Sequence, residues 1–143
     1  MSDPTAAIEL DLGDFDAVGV LSDVIVDLRA HVMVHEREAS ATISAPTAWH
    51  QLVINAKQGG SSVLVVRFSA LTASRLRNVA TALSTRGWQL DEDREGATLR
   101  QPPGTAAADV AFEVLGALGV AGAPKDVRIV TLRDADGGQV ARG

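Results

Sequence analysis

Residues 49–68 read WHQLVINAKQGGSSVLVVRF, and this stretch decides the fold that the rest of the chain completes. Two runs rich in branched apolar residues flank the segment Gln58-Gly59-Gly60-Ser61. Such a segment is typical of a hairpin turn, because glycine accepts a positive φ. The stretch therefore predicts two antiparallel strands, over residues 49–57 and 62–68.

Successive side chains of a strand point to opposite faces, so the hairpin sequence assigns each residue to a face. One face contains Leu52, Ile54, Leu64, Val66 and Phe68. The opposite face contains Trp49, Val53, Val63 and Val65. Both faces are apolar, although a sheet with one side in water needs only one apolar face.

Helical and strand patterns surround the hairpin on both sides. Apolar residues at helical spacing predict three helices, over residues 15–34, 72–86 and 105–118. Asp14 and Thr72 stand where an N-cap is expected, and Gly87 stands where the second helix would end. Shorter extended runs predict further strands over residues 42–44, 88–90, 97–100 and 127–132.

Runs of neighbouring strands separated by helices are typical of an α+β protein. We therefore predict a single antiparallel sheet of about five strands, with the helices packed mainly on one face. The predicted domain spans residues 14–132. Before it we expect a flexible leader over residues 1–13, with one short extended piece at residues 8–12, and after it a flexible tail over residues 133–143.

Composition restricts the classes of function. The 143 residues carry a net charge of −5 and include two Trp, three Phe and no Tyr. A chain that is acidic and poor in aromatic residues neither attracts phosphate backbones nor stacks bases, so we expect no nucleic-acid partner. The chain contains no cysteine and therefore has no disulfide and no thiolate nucleophile.

The sequence does not indicate a membrane protein. Its acidic N-terminus lacks the basic segment followed by an apolar segment that a signal peptide requires. The most apolar stretch, residues 18–34, contains Asp23, Asp27, Arg29 and His31, which is too polar for a membrane span. We therefore expect a cytoplasmic protein with no membrane partner.

Asp27, His31 and His35 recur at four-residue spacing on the first predicted helix. Side chains at positions i and i+4 are neighbours, so His31 and His35 are weak candidates for a metal pair. With Glu36 or Glu38 the same cluster is a candidate enzyme site. The alternative is a solvated helix edge, because each four-residue step drifts about 40° around the axis. We favour the solvated edge, and we predict no catalytic residue, no metal site and no cofactor.

Three arginines lie on the second predicted helix and at its end: Arg75, Arg77 and Arg86. Arg75 and Arg86 are about 20° apart around the helix axis, so they are placed to clamp a carboxylate or an acidic peptide. The alternative is a solvated helix face. In the binding hypothesis these three residues provide the charged rim of a partner surface.

The strongest indication of function is apolar surface beyond what one core needs. Several apolar residues lie off the main stripes of the first and last helices, in addition to those on the second face of the hairpin. Large apolar patches are rare on monomers, so we expect a second copy or a peptide to cover them, unless another element of the chain does. The predicted partner-binding residues are Trp49, Val53, Val63, Val65, Phe15, Val26, Met33 and Phe112.

A family resemblance rests on three segments: HQLVINAK at residues 50–57 with the glycines after it, RGWQL at residues 86–90, and VLGALGV at residues 114–120. The region from residue 49 to residue 132 resembles the actinobacterial TY-Chap proteins, a family of type III secretion chaperone and YbjN-like peptide-binding chaperones. The resemblance implies a type III secretion chaperone-like fold and a module that forms dimers or binds peptides. It implies no catalytic residues.

Taken together, these observations predict a non-enzymatic, chaperone-like or adaptor module that binds a peptide or protein client and forms a homodimer. One alternative is a structural subunit of a larger complex. Another is a metal-dependent enzyme or metal-binding protein that uses Asp27, His31 and His35.

Overall fold

The computed structural model describes residues 7–44, 50–68, 72–92, 95–120 and 127–140. In chain order the described elements are β1 (Ala7–Asp11), α1 (Ala17–His35), β2 (Ala39–Ser44), β3 (His50–Ala56), β4 (Ser62–Phe68), α2 (Ala73–Thr85), β5 (Gln89–Leu90), β6 (Gly96–Gln101), α3 (Ala107–Val120) and β7 (Val127–Asp134). All three helices predicted from the sequence are present.

The described strands form one sheet of seven strands in the order β1-β7-β2-β3-β4-β6-β5, and every neighbouring pair is antiparallel. The predicted α+β class with a single antiparallel sheet is therefore confirmed. The predicted count of about five strands was wrong. β1 lies in the expected leader, and β2 is six residues long rather than three. Both strands pair with β7, which is too distant in sequence for a local pattern to reveal the pairing.

Both ends of the described chain contribute to the fold more than the sequence predicted. The extended piece expected within the leader at residues 8–12 corresponds to β1, which pairs along its whole length with β7. At the other end, where the sequence placed a flexible tail from residue 133, β7 continues to Asp134 and Gln139 returns to bridge with Arg133. Val140 then packs into the core with 2% of its surface exposed. A single buried valine after a turn has no periodic neighbours, so the sequence pattern did not reveal it.

One face of the sheet is buried, as the alternation along the hairpin predicted. α1 packs against α3, and α2 packs against α3 and β5, so the three helices form one layer over this face. α1 contributes Leu21, Ile25 and Leu28 to the interior between the layers. The buried apolar side chains of the sheet are Leu10, Ala39, Ala41, Ile43, Leu52, Ile54, Ala56, Leu64, Val66, Phe68, Ala97, Val130 and Leu132.

Local signals explain where α2 begins and ends. Thr72 Oγ1 accepts a hydrogen bond from the backbone N–H of Arg75 at 3.3 Å, which is the predicted N-cap. Gly87 follows the helix with a φ of +94°, a conformation that glycine adopts without a steric cost. α1 differs from its prediction, because its N-cap position is Asp16. The predicted cap, Asp14, instead accepts a hydrogen bond from the N–H of Asp16 in the preceding turn.

Leu64 and Val65 are adjacent in β4 but lie on opposite faces, so replacing each tests the assignment of faces. Leu64 has 0% of its surface exposed. We expect Leu64→Ala to lower the free energy of unfolding by about 2–5 kcal/mol. Val65→Thr keeps the branched shape outside the core, and we expect a change of about 0.5 kcal/mol or less. Urea unfolding measures both values, and a large loss in Val65→Thr would mean that the second face is also core.

Candidate functional site

None of the described elements packs on the sheet face opposite the helices, and we call this surface the open face. One register row crosses five strands of it through Thr131, Thr42, Val53, Val65 and Thr98. All five side chains are β-branched and half-buried by their neighbours in the sheet. Cross-strand pairs of this kind pack against each other and stabilise the sheet. The centre of the open face is therefore a strip of methyl groups.

A second row, beside this strip, is charged at both ends. It runs through Arg133, Ser40, Asn55, Val63 and Arg100. Both arginines are exposed, whereas Val63 is half-buried and widens the apolar strip. Asn55 Nδ2 donates a hydrogen bond to the carbonyl oxygen of Val63 at 3.2 Å, so part of its polar group is already satisfied. Positive charge thus lies at two corners of the open face.

Carboxylates lie on the other side of the strip. Glu9 is exposed at the β1 edge, where it pairs with Ile129 of β7. Near the opposite edge, Arg67 Nη1 donates to Asp91 Oδ2 at 3.3 Å. This carboxylate fits beside Gly96, where a Cβ atom would overlap with it. The open face is therefore apolar at its centre and carries charges of both signs at its borders.

The structure divides the predicted partner-binding residues between two surfaces. Val53, Val63 and Val65 share the open face, as the alternation predicted. Trp49 lies outside the described residues. The remaining four lie before or on the helices, and all of them are exposed, Phe15 completely: Phe15, Val26, Met33 and Phe112. These residues do lie off the buried stripes of their helices, but they cannot join the valines in one patch.

The predicted arginine clamp is occupied within the chain. Arg86 Nε and Nη2 each donate to a carboxylate oxygen of Glu113 in α3, both at 3.1 Å. Trp88 Nε1 donates to the same Glu113 at 2.7 Å. A Cβ at Gly116 would overlap with the Arg86 guanidinium, so the glycine leaves room for it. Arg86 therefore pairs within the chain but stays exposed, as Arg75 and Arg77 do on α2, and the role of these three arginines as rim charges stays a prediction.

Histidines of the predicted cluster make contacts where the C-terminal half of α1 meets the end of β7. His31 Nε2 lies 3.3 Å from Asp134 Oδ2, and the two side chains are 6% and 7% exposed. The His31 and His35 rings are 4.4 Å apart between centroids. Asp27 is also buried and engaged with a partner. Among the described residues, no group of three His, Cys, Asp or Glu is arranged to hold a metal ion. The sequence pattern missed Asp134, which is 103 residues from His31.

Asp134 accepts hydrogen bonds from the turn that follows β7. The N–H of Gly138 donates to Asp134 Oδ1 at 2.7 Å and has the largest effect in lowering the pKa of this carboxyl below its ordinary value. The N–H of Asp136, at 2.9 Å, and the His31 ring lower the pKa further, while burial acts in the opposite direction. These contacts favour the ionised carboxylate. Through them, Asp134 connects the C-terminal turn and α1 to the end of β7.

The lowered pKa of Asp134 predicts a specific sensitivity to acid. In the unfolded chain Asp134 binds a proton at a higher pH than in the folded protein. Its contribution to stability is therefore fully present above about pH 4 and is lost as the pH falls through the folded-state pKa. We expect the free energy of unfolding of Asp134→Asn to depend less on pH than that of the wild type.

Urea unfolding between roughly pH 3 and pH 6 measures this difference, since the ordinary Asp pKa lies in that range. The control is Asp136→Asn, because Asp136 lies in the same turn and its exposed carboxylate pairs with the exposed Arg37 side chain. Asp136→Asn should retain the wild-type dependence on pH. Equal slopes for the wild type and Asp134→Asn would contradict the role given to Asp134.

Among the described helices, none has both the length and the apolar character needed to cross a membrane. The chain matches no protein-family model, no curated protein and no solved structure. The resemblance to the TY-Chap proteins and the type III secretion chaperone-like fold therefore stay predictions from the sequence.

Proposed function

We propose that this chain is a non-enzymatic protein-binding module of the chaperone or adaptor kind, that it acts in the cytoplasm, and that two copies pair through the open face. The observation that supports the proposal is the layout of that face, with an apolar strip at the centre and charges at the borders. Protein interfaces are built in the same way, from an apolar centre that excludes water and a polar rim.

The open face is also suited to contact a copy of itself. A two-fold axis along the central strip would place Val53 opposite Val53 and exchange the two flanking rows. Arg133 would then lie next to the second copy's Glu9, and Arg100 would lie next to the second copy's Asp91. Opposite charges would meet at the Arg133–Glu9 border, whereas at the other border Arg100 would meet Asp91 together with its partner Arg67. The same patch would serve both copies, as isologous dimers require.

Pairing through the open face leaves the helix layer accessible on both outer sides of the dimer. That layer exposes Val26, Met33 and Phe112, which are large apolar side chains on α1 and α3. Apolar side chains on a helical surface are the contacts that bind a peptide segment by burial of its own apolar groups. The proposed division of labour is therefore self-association by the sheet and client binding by the helices.

Val65→Asp tests the pairing. The substitution places an unpaired carboxylate in the central strip, where a second copy would have to bury it, so we expect the dimer to dissociate. Light scattering and sedimentation velocity of the wild type and the variant measure the oligomeric state, and circular dichroism reports whether the variant is folded.

Asn78→Asp is the charge-matched control, because Asn78 is exposed on α2 away from the open face. It should assemble like the wild type. Val63→Asp should dissociate like Val65→Asp. If Val65→Asp unfolds, Val65→Arg and Val65→Thr provide folded tests with a larger and a smaller effect on assembly. A wild type that stays monomeric at high concentration would contradict the proposed pairing.

The structural-subunit alternative predicts a different set of partners. Affinity purification from the native host separates the two functions, because a subunit retains the same partners in fixed stoichiometry. A chaperone or adaptor retains varied partners in small amounts. Recovery of one fixed stoichiometric complex would replace the chaperone-like function with the subunit function.

A further inference from the structure

A groove of about 670 Å³ lies between the C-terminal half of α1 and the turn of the β3–β4 hairpin. We call it the α1–hairpin groove. One wall is formed by α1 and its C-cap, and the other by the hairpin turn. The lining residues are Arg29, Val32, Met33 and Glu36 on the first wall and Lys57, Gln58, Gly59 and Gly60 on the second. Its volume is within the range of about 300–1,000 Å³ that ligand sites occupy. The groove lies on the helix side of the sheet, so it is separate from the open face.

The walls of the groove are held in place by two contacts between the turn and the chain after α1. Lys57 Nζ donates to Glu38 Oε1 at 3.2 Å. Gln58 Nε2 donates to the backbone carbonyl of Glu36, whose left-handed φ of 55° ends the helix. A Cβ at Gly59 would meet no atom within 4 Å, so the space above the turn is open. The groove is therefore a formed and accessible feature of the fold.

Arg29 gives the groove its chemical character. Its Nε and Nη2 atoms are buried, and no hydrogen-bond acceptor among the described residues satisfies them. Buried hydrogen-bond donors are normally paired, because an unpaired one costs desolvation free energy. Binding of an acceptor to these two donors would remove that cost. Nε and Nη2 together form the edge of a guanidinium that binds a carboxylate in bidentate fashion. In this protein Arg86 binds the carboxylate of Glu113 in this way, through its own Nε and Nη2.

The apolar part of the groove adjoins this arginine. Met33 is 80% exposed, and Val32 lies beside it on the same wall. Methionine is flexible and adapts to side chains of different shapes, which is why it is common at peptide-binding surfaces. Arg29 lines the groove and is half-buried as a whole, while its Nε and Nη2 are buried, so a bound carboxylate would reach these donors only when the side chain turns toward the groove. The groove thus offers a carboxylate partner and an apolar contact close together.

From this geometry we infer that the α1–hairpin groove binds the C-terminal end of a client peptide, with the terminal carboxylate on Arg29 and an apolar last side chain on Val32 and Met33. The inference rests on the proposed protein-binding function and names the chemistry of the client. A peptide C-terminus is the group that joins a carboxylate to an apolar side chain through a single carbon atom. Capture of a terminal carboxylate is also an established mode of peptide recognition.

Two matched probes test the inference: the peptide N-acetyl-Gly-Gly-Leu-Leu with a free carboxylate, and the same peptide with a C-terminal amide. We expect the acid to shift the NMR signal of the Arg29 Nε–H group and the amide signals of Gly59 and Gly60. The amide peptide should bind about ten- to a hundredfold more weakly, because it loses a charge-assisted hydrogen-bonded pair. In Arg29→Gln the preference for the acid should disappear.

Arg37→Gln is the control for loss of charge, because Arg37 is exposed and pairs with Asp136 outside the groove. It should keep the preference for the acid. Decanoate is the third probe, since a fatty acid also combines a carboxylate with apolar groups. Equal binding of the acid and amide peptides, or tighter binding of decanoate than of the peptide acid, would overturn the inference.

The two proposals fail separately. Val65→Asp should change assembly and leave the peptide titration unaltered, whereas Arg29→Gln should change the titration and leave assembly unaltered. If the wild type dimerises but does not distinguish the two peptides, the groove inference alone is wrong. If the wild type is monomeric but prefers the peptide acid, the pairing alone is wrong.

Discussion

The fold depends on the burial of one face of an antiparallel sheet beneath a single layer of helices. In β2, β3 and β4 every second side chain is buried, and the residues between them face the other way. A shift of register by one residue would exchange the two faces, so the apolar pattern specifies the pairing strongly. The helices cover only one of the two faces of the sheet. The open face is the direct consequence of this one-sided burial, and it provides the surface from which the proposed pairing is argued.

Polar contacts attach the helix layer to the rest of the protein at its borders. Glu113 of α3 binds Arg86 and Trp88 at the end of α2. On the opposite border, His31 of α1 meets Asp134 at the end of β7. Both sets contain residues that the sequence presented as candidate functional groups. Their roles in the fold follow from burial, because a polar group removed from water needs a partner within the protein. Arg29 differs, since its buried donors have no such partner among the described residues.

The hairpin, the three helices and the two faces of the sheet were predictable because their signals are local. The period of the apolar residues and the glycines at the turn act within a few residues of one another. The pairing of β1 with β7 and the burial of Val140 were not predictable, because each depends on a partner far along the chain. Val53, Val63 and Val65 were correctly placed on one face. The α1–hairpin groove was missed, because Arg29 and Gly59 are brought together only by the packing of α1 beside the hairpin.

By itself, the sequence determined the α+β class, the central hairpin and the division of its residues between two faces. It did so because alternation and helical period are properties of neighbouring residues. Only the tertiary structure decided that the sheet has seven strands, that Arg86 pairs with Glu113 within the chain, and that Asp134 is the partner of His31. These outcomes depend on contacts between distant segments, whose geometry is set when the helix layer packs on the sheet.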